Sequence, residues 1–464
     1  MSLNGKNPRL QAATGSSTVP TPDNKKSIDT ILERLDTVGM TRLDLVKLSA
    51  VGLATAATAG LGVRSARGAV LVRSAKPGKL ANLILTPNNY TSTMSKAGQQ
   101  ISKVLGLAEY SEANENLDPV AAVHLAKGYI ARGFNMIWVG GIDGSEVRPI
   151  SSAAAKAKAY HSQMWAAGPW YMPVDADQYF TAFWDLHDPP NIYASTVAML
   201  GELSKRLGGK EGKVFHIAGF PGGSLAFRRS AGVHQAVAKF PELKLVGELT
   251  GKWDPVIAQK AVQDLIGRYG NPNAVVCSND AMLTGVLSAL KAQGLKPGAD
   301  VLLAGQDGNP DILNAIKSGE VFSTNFHGPH TFALHPIVRM FDTLQGIEFS
   351  PLERQMWVDG ITVTQKNVTG LLDRYYGDPD HRLPFNPKLA SRFFNPKTWD
   401  PQVSLAPIDI VDYWKGLAKR PAGYKLPADY EAAVKAGGMA KVTNLYKSHN
   451  RIKMDNFAFR GVKV

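Results

Sequence analysis

Three features of the 464-residue sequence predict an α/β fold: two similar doubly wound parallel-sheet lobes, a hinge and cleft between them, and a C-terminal extension. First, apolar runs of strand length alternate with helical periodicity from residue 80 to residue 326. Strands separated by helices form parallel sheets through right-handed crossovers. Second, a polar break at 185–191 holding Pro189 and Pro190 divides the series into two similar halves. Third, polar and aromatic residues stand where apolar runs stop, as in Trp253-Asp254, Asn279-Asp280, Gln306-Asp307-Gly308 and Phe326-His327. Ligands bind open α/β sheets at that carboxyl edge, so the predicted gap is a ligand cleft for a small polar molecule.

In the first half, strands are expected at 80–85, 136–139 and 170–174, and helices at 94–107, 120–132 and 151–167. In the second half, the helices are 192–207, 225–239, 256–269, 283–293 and 311–318. The strands between them are 214–219, 243–249, 274–278, 301–304 and 321–326. Two lobes therefore follow, 70–188 with 328–356 and 189–327 with 357–370. From about 371 to 464 prolines alternate with aromatics, and short helical patterns fall at 408–417 and 429–446. Scattered Trp and Phe need neighbours to bury against, so this extension is expected to wrap onto the lobes.

Composition narrows the function classes. Hydrophobic content of 44% and charged content of 20% are ordinary for a globular protein. The net charge of +13 is carried by the ends: nine Lys/Arg against five Asp/Glu in 1–69, and sixteen against nine in 371–464. The centre is nearly balanced, which argues against a nucleic-acid groove there. The lone cysteine, Cys277, excludes an intrachain disulfide and lies in an apolar run, as a buried core residue does.

Residues 1–39 are polar and read as a disordered lead. A charged region at 41–47, a mild apolar stretch at 48–62 and small residues with Arg64 and Arg67 then read as an export signal, predicting a periplasmic destination. The stretch is too short to span about 30 Å of bilayer at about 1.5 Å per residue. The layout is similar to a twin-arginine signal, with Leu43 where the second arginine would stand. An amphipathic helix docked on the domain is the alternative.

Residues 80–370 resemble the periplasmic sugar-binding proteins of ribose-binding type, which serve ABC transporters. The resemblance rests on Gly212-Lys213-Val214, Pro221-Gly222-Gly223-Ser224, Arg229-x-x-Gly232, Ser278-Asn279-Asp280 with Gly285, and Gly305-Gln306-Asp307-Gly308-Asn309-Pro310. In the first half it rests on Pro87-Asn88-Asn89-Tyr90 and on 167–175, ending in Asp175. The resemblance implies a non-enzymatic receptor without cofactor or metal. Its partners would be a small-molecule ligand, most simply a carbohydrate, and a membrane permease.

The family's ligand-facing positions fall on Asn89, Tyr90, Asp175, Phe227, Trp253, Asn279, Asp307 and His327. Their chemistry suits a polyol. Asp175 and Asp307 would accept hydroxyl hydrogens from opposite lobes, Asn279 would donate and accept, and Trp253 would offer a flat face to a sugar ring. Phe227 stands where relatives carry arginine, Gly140 where they carry asparagine, and His327 where they often carry glutamine. Loss of the guanidinium points toward a bulkier, more apolar ligand. Nine aromatics between 160 and 193 supply a possible roof.

Plainer readings compete at each position. Asp307-Gly308 is also a good turn, and Asn279 a good helix cap, although Asp280 can cap equally well. His327 fits a hydrogen-bonded hinge residue. The 221–224 turn lacks the Lys-Ser/Thr ending of a nucleotide loop. An Asp175/Asp307 pair across a cleft is compatible with a glycosidase, yet no nucleophile elbow, HExxH or CxxC is present. A transcriptional regulator or a ligand sensor for a membrane signalling partner, sharing the same core, remain the rival readings.

Overall fold

The computed structural model describes residues 75–464. The expected lead and export signal, 1–69, lie outside the described residues. The first lobe runs β1 (Lys79–Ile84), α1 (Asn89–Leu105), β2 (Glu109–Asn114), α2 (Pro119–Ala131), β3 (Met136–Gly140), α3 (Val147–Ala157), β4 (Tyr160–Met164) and β5 (Phe180–Leu186). The second continues with α4 (Pro190–Leu207), β6 (Gly212–Ala218), α5 (Ser224–Ala238), β7 (Leu243–Thr250) and α6 (Pro255–Tyr269). It ends with β8 (Ala274–Cys277), α7 (Asp280–Ala292), β9 (Leu302–Asp307), α8 (Pro310–Ser318) and β10 (Ser323–Phe326).

The chain then returns to the first lobe through α9 (Pro329–Leu344) and β11 (Gln355–Val358), and β12 (Ile361–Val363) joins the second sheet. The extension comprises α10 (Val368–Tyr375), β13 (Arg382–Leu383), α11 (Pro387–Ala390), β14 (Leu405–Pro407), α12 (Ile410–Trp414), α13 (Ala428–Lys435), α14 (Gly438–His449) and β15 (Val462–Lys463).

The sheets are ordered β14-β11-β5-β4-β3-β1-β2 and β12-β10-β9-β8-β6-β7. Each has the same kernel, in which the crossovers leave the founding strand first to one side and then to the other. The reversal lies between β1 and β3 in one lobe and between β6 and β8 in the other. That is where an open sheet forms its crevice. It also aims helix N-termini at the crevice, and three of their caps are explicit. Asn88 accepts from Thr91 N at 3.0 Å, Asp254 from Val256 N at 2.8 Å, and Asn279 from Met282 N at 2.8 Å.

The two-lobe α/β class agrees with the sequence, but the first lobe differs in detail. The helix expected over 151–167 stops at Ala157, and Tyr160–Met164 forms β4. The strand expected at 170–174 is a turn closing in a 3-10 helix, Pro173–Asp175, and the strand proper is Phe180–Leu186. The cause is polarity inside a central strand. His161, Ser162 and Gln163 are all buried. His161 pairs with Gln163 at 3.0 Å, Gln163 donates to Glu146 at 2.9 Å, and Thr181 donates to the His161 carbonyl at 2.8 Å. No apolar run marks such a strand. The last crossing between sheets falls at Asp359-Gly360, rather than after residue 356.

The extension is built into the first lobe. β14 lies antiparallel to β11, with Trp357 opposite Ala406. Phe385, Phe393, Trp399 and Tyr446 are buried with the core. Buried carboxylates clamp it. Asp342 accepts from Arg392 N at 2.7 Å, and Glu353 accepts from Arg392 at 2.6 Å and Tyr446 at 3.1 Å. Among the described residues no helix is long and apolar enough to cross a membrane.

Candidate ligand-binding cleft

A cavity of about 440 Å³ lies between the carboxyl edges of the two sheets, within the roughly 300–1,000 Å³ usual for small-molecule sites. Six of the residues expected from sequence line it: Asn89, Tyr90, Trp253, Asn279, Asp307 and His327.

Asp307 ends β9 with φ 121°, a strained conformation of the kind held at binding sites. The turn is braced from below by Asp280, which accepts from Gly308 N at 2.7 Å, Asn309 N at 2.8 Å and Thr324 Oγ1 at 2.9 Å. Burial, and then the charge of Asp307, push the Asp280 carboxyl well above its usual range. One Asp307 oxygen, Oδ1, accepts from Arg229 at 3.1 Å and pairs with His327 Nε2 at 3.1 Å. The other oxygen, Oδ2, has no protein partner among the described residues and is left for the cavity.

Arg229 is almost wholly buried and is committed on all sides. Its Nε donates to Asp188 at 3.1 Å, one terminal nitrogen to Asp307, and the other to the Ser278 carbonyl. Burial opposes its charge, but Asp307 and Asp188 outweigh that and raise its pKa. His327 spans the cleft floor, with Nδ1 3.1 Å from the Tyr90 hydroxyl. Burial lowers the His327 pKa against the pull of Asp307, so the ring is neutral. Burial raises Tyr90 well above a normal phenol, which keeps its hydrogen. The consistent tautomer has Tyr90 donating to Nδ1 and Nε2–H donating to Asp307.

Asn279 is the cap of α7 in spite of Asp280 beside it, because Asp280 is occupied under the Asp307 turn. The cap uses its oxygen and leaves its amide nitrogen. Asn309 Oδ1 is buried without a partner and belongs to a cavity-lining residue. Trp253, at φ 64°, lays its ring on Gly219. A Cβ at Gly219 would come within 2.1 Å of that ring, so only glycine admits it. On the opposite wall Trp165, also at φ 64°, packs against Tyr90 with centroids 6.1 Å apart. Besides Tyr90–His327, two further bonds cross between lobes at the cavity: Asn89 Nδ2 to Asp311 at 2.7 Å and Ser224 Oγ to the Trp165 carbonyl at 3.4 Å.

Asp175 and Phe227 do not belong to this group. Asp175 sits in the 3-10 turn, accepting from Met172 N at 2.8 Å and from Tyr424 of the extension at 2.8 Å. Since 170–174 is not a strand, Asp175 has no sheet edge to stand on. Phe227 is 48% exposed and approaches Gly416 of the extension. Arg229, two residues further along the helix, lines the cavity, but its guanidinium is bonded to Asp188, Asp307 and the Ser278 carbonyl. Sequence reasoning passed over it as a ligand-site residue, although Ala226, Arg229, Val233 and Ala236 fall on one buried stripe of α5.

Comparison with known proteins agrees with this geometry. Residues 189–338 match the periplasmic binding protein domain. The xylitol-binding protein of Mycolicibacterium smegmatis is 30% identical over 220 residues, covering 42% of this chain and 62% of the relative. The D-allose-binding periplasmic protein of Escherichia coli is 30% identical over 163 residues, covering 34% of this chain and 52% of the relative. The chain thus spans about half the length of the curated relatives it matches.

Two solved structures share the fold. A twin-arginine translocation pathway signal protein from Burkholderia phytofirmans aligns with TM-score 0.59 and 24% identity, over 65% of this chain and 94% of that one. The periplasmic binding component of an arabinose ABC transporter from Shewanella sp. ANA-3 aligns with TM-score 0.56 and 20% identity, over 65% and 96%. The fold is the two-lobed α/β fold of these binding proteins, with the cleft between the lobes. Over residues 189–338 the chain is similar to periplasmic binding proteins, and its curated relatives include sugar-binding proteins.

Proposed function

We propose that the chain is an exported, non-enzymatic receptor whose lobes close over a sugar or sugar-like polyol and deliver it to an ABC-type permease. The observation that carries this is the division of labour at Asp307. One oxygen is pinned by Arg229 and His327, while the other meets the cavity as a fixed, ionic acceptor for hydroxyl hydrogens. The Asn279 amide nitrogen and the unpartnered Asn309 oxygen add one donor and one acceptor. The rings of Trp253 and Tyr90 supply flat faces for C–H surfaces. Such a set reads a neutral polyhydroxylated molecule.

Catalysis is disfavoured by the same geometry. Asp175 is turned away from the cavity and bonded to Tyr424, so it does not face Asp307 as an acid would face a base. A ligand touching both walls also gives closure its driving force, because it prefers the state in which both are near. The test is a thermal-shift screen of the full chain against pentoses, hexoses and sugar alcohols. A bound ligand at about 100 times its Kd adds about 2.7 kcal/mol of stability, so a clear rise in Tm is expected for at least one polyol. No rise with any polyol, but one with an anionic or aromatic metabolite, would overturn the reading.

A further inference from the structure

A second cluster of ligand-bearing side chains lies in the second lobe, apart from the cavity-lining set. It is assembled by the β6–α5–β7 unit. His216 and Glu248 are register partners on adjacent parallel strands, which puts their side chains on the same face of the sheet. His234 reaches them from α5. Glu248 Oε2 is 3.0 Å from His216 Nδ1 and 2.6 Å from His234 Nε2. The three donor atoms lie within 4.8 Å of one another.

We propose that His216, His234 and Glu248 form a binding site for a divalent transition-metal ion of the zinc class. Two imidazoles and one carboxylate are the donor set that selects zinc, copper or nickel over calcium and magnesium. Tetrahedral zinc, with bonds of about 2.0–2.2 Å, holds its ligand atoms roughly 3.4 Å apart. The two separations from Glu248, 3.0 and 2.6 Å, need only a small outward shift. His234 can provide it because its side chain is 53% exposed. His216 is fully buried, and its other nitrogen lies 3.0 Å from Ser278 Oγ. That bond fixes the ring with Nδ1 toward the site, the arrangement found behind metal-ligating histidines.

The fourth coordination position opens to solvent beside His234 and Glu248, where a water completes the shell.

The experiment is calorimetric titration of the untagged full chain with Zn(II), repeated with His234→Ala and the isosteric Glu248→Gln. Cobalt(II) absorbance provides a coordination signature. The inference requires one equivalent of Zn(II) bound, a rise in Tm on binding, tetrahedral-type Co(II) bands, and at least a tenfold affinity loss in each variant. Thermal denaturation without metal shows whether either variant is folded, and His234 is exposed enough for its variant to be so. Absence of Zn(II) uptake, or uptake that both folded variants retain undiminished, would overturn it. Calcium binding with the same affinity as zinc would also overturn it.

Discussion

The wall that the second lobe presents to the cleft is polar and braced, whereas the wall from the first lobe is largely ring and helix end. Asp307, Arg229 and Asn279 come from the second lobe, each fixed by bonds to the protein. The first lobe contributes Tyr90 and Trp165, packed against each other and not bonded to charge. Two aspartates that look equivalent in sequence mark the contrast. Asp307 keeps an oxygen for the cavity, while both Asp175 oxygens are spent on Met172 and Tyr424. A polar group can serve a ligand only if the protein holds it in place and leaves one valence unused. The second lobe achieves this through His327 and Ser278, with Asp188 at the end of the first lobe, which take up the other bonds.

The largest expected effect comes from removing that bracing. Arg229→Met leaves Asp188 and Asp307 without their cation in a buried place, at a cost of about 3–5 kcal/mol of stability. Urea unfolding measures it, and a cost below about 1 kcal/mol would mean the second wall is not braced by Arg229.

Next comes pH. The folded His327 pKa is depressed by burial below its unfolded value. The unfolded chain therefore binds more protons, and stability is lost as pH falls through about 6.5 toward the folded value. His327→Gln keeps a donor and an acceptor without titrating. Its unfolding free energy should fall less steeply between pH 7 and 5, by up to about 1.4 kcal/mol per pH unit. Parallel slopes for the two proteins would break the link between walls that His327 is assigned.

The smallest effect concerns the rings. Trp253→Ala removes a face without touching the polar set, so affinity for a polyol should drop by about 1 kcal/mol, roughly fivefold. An unchanged affinity would leave stacking with the first wall alone.

The second lobe was legible because its strands are apolar runs, such as Ala274–Cys277, that end in their site residues. Trp253, Asn279 and Asp307 followed from that placement. In the first lobe the buried polar strand Tyr160–Met164 gave no such signal, and the false strand at 170–174 carried Asp175 into the site with it. An error in one strand thus became an error in one ligand contact. β2, Glu109–Asn114, escaped notice as a partly exposed polar edge strand. α9 carries Pro336 and the buried His330 and His335, which blur its apolar stripe. Arg229 shows the reverse case: its periodicity was visible, but a buried arginine on a core stripe was not credited as part of the cleft.

The most direct measurement is calorimetry of the best polyol ligand with Asp307→Asn and Asp175→Asn side by side. Asp307→Asn should lose about 1.5–3 kcal/mol of binding, roughly tenfold or more, because it removes a charged acceptor. Asp175→Asn should bind within about twofold of the parent chain, since its oxygens face Tyr424 and Met172. Equal losses in both, or a loss in Asp175→Asn alone, would contradict a polar wall built by the second lobe.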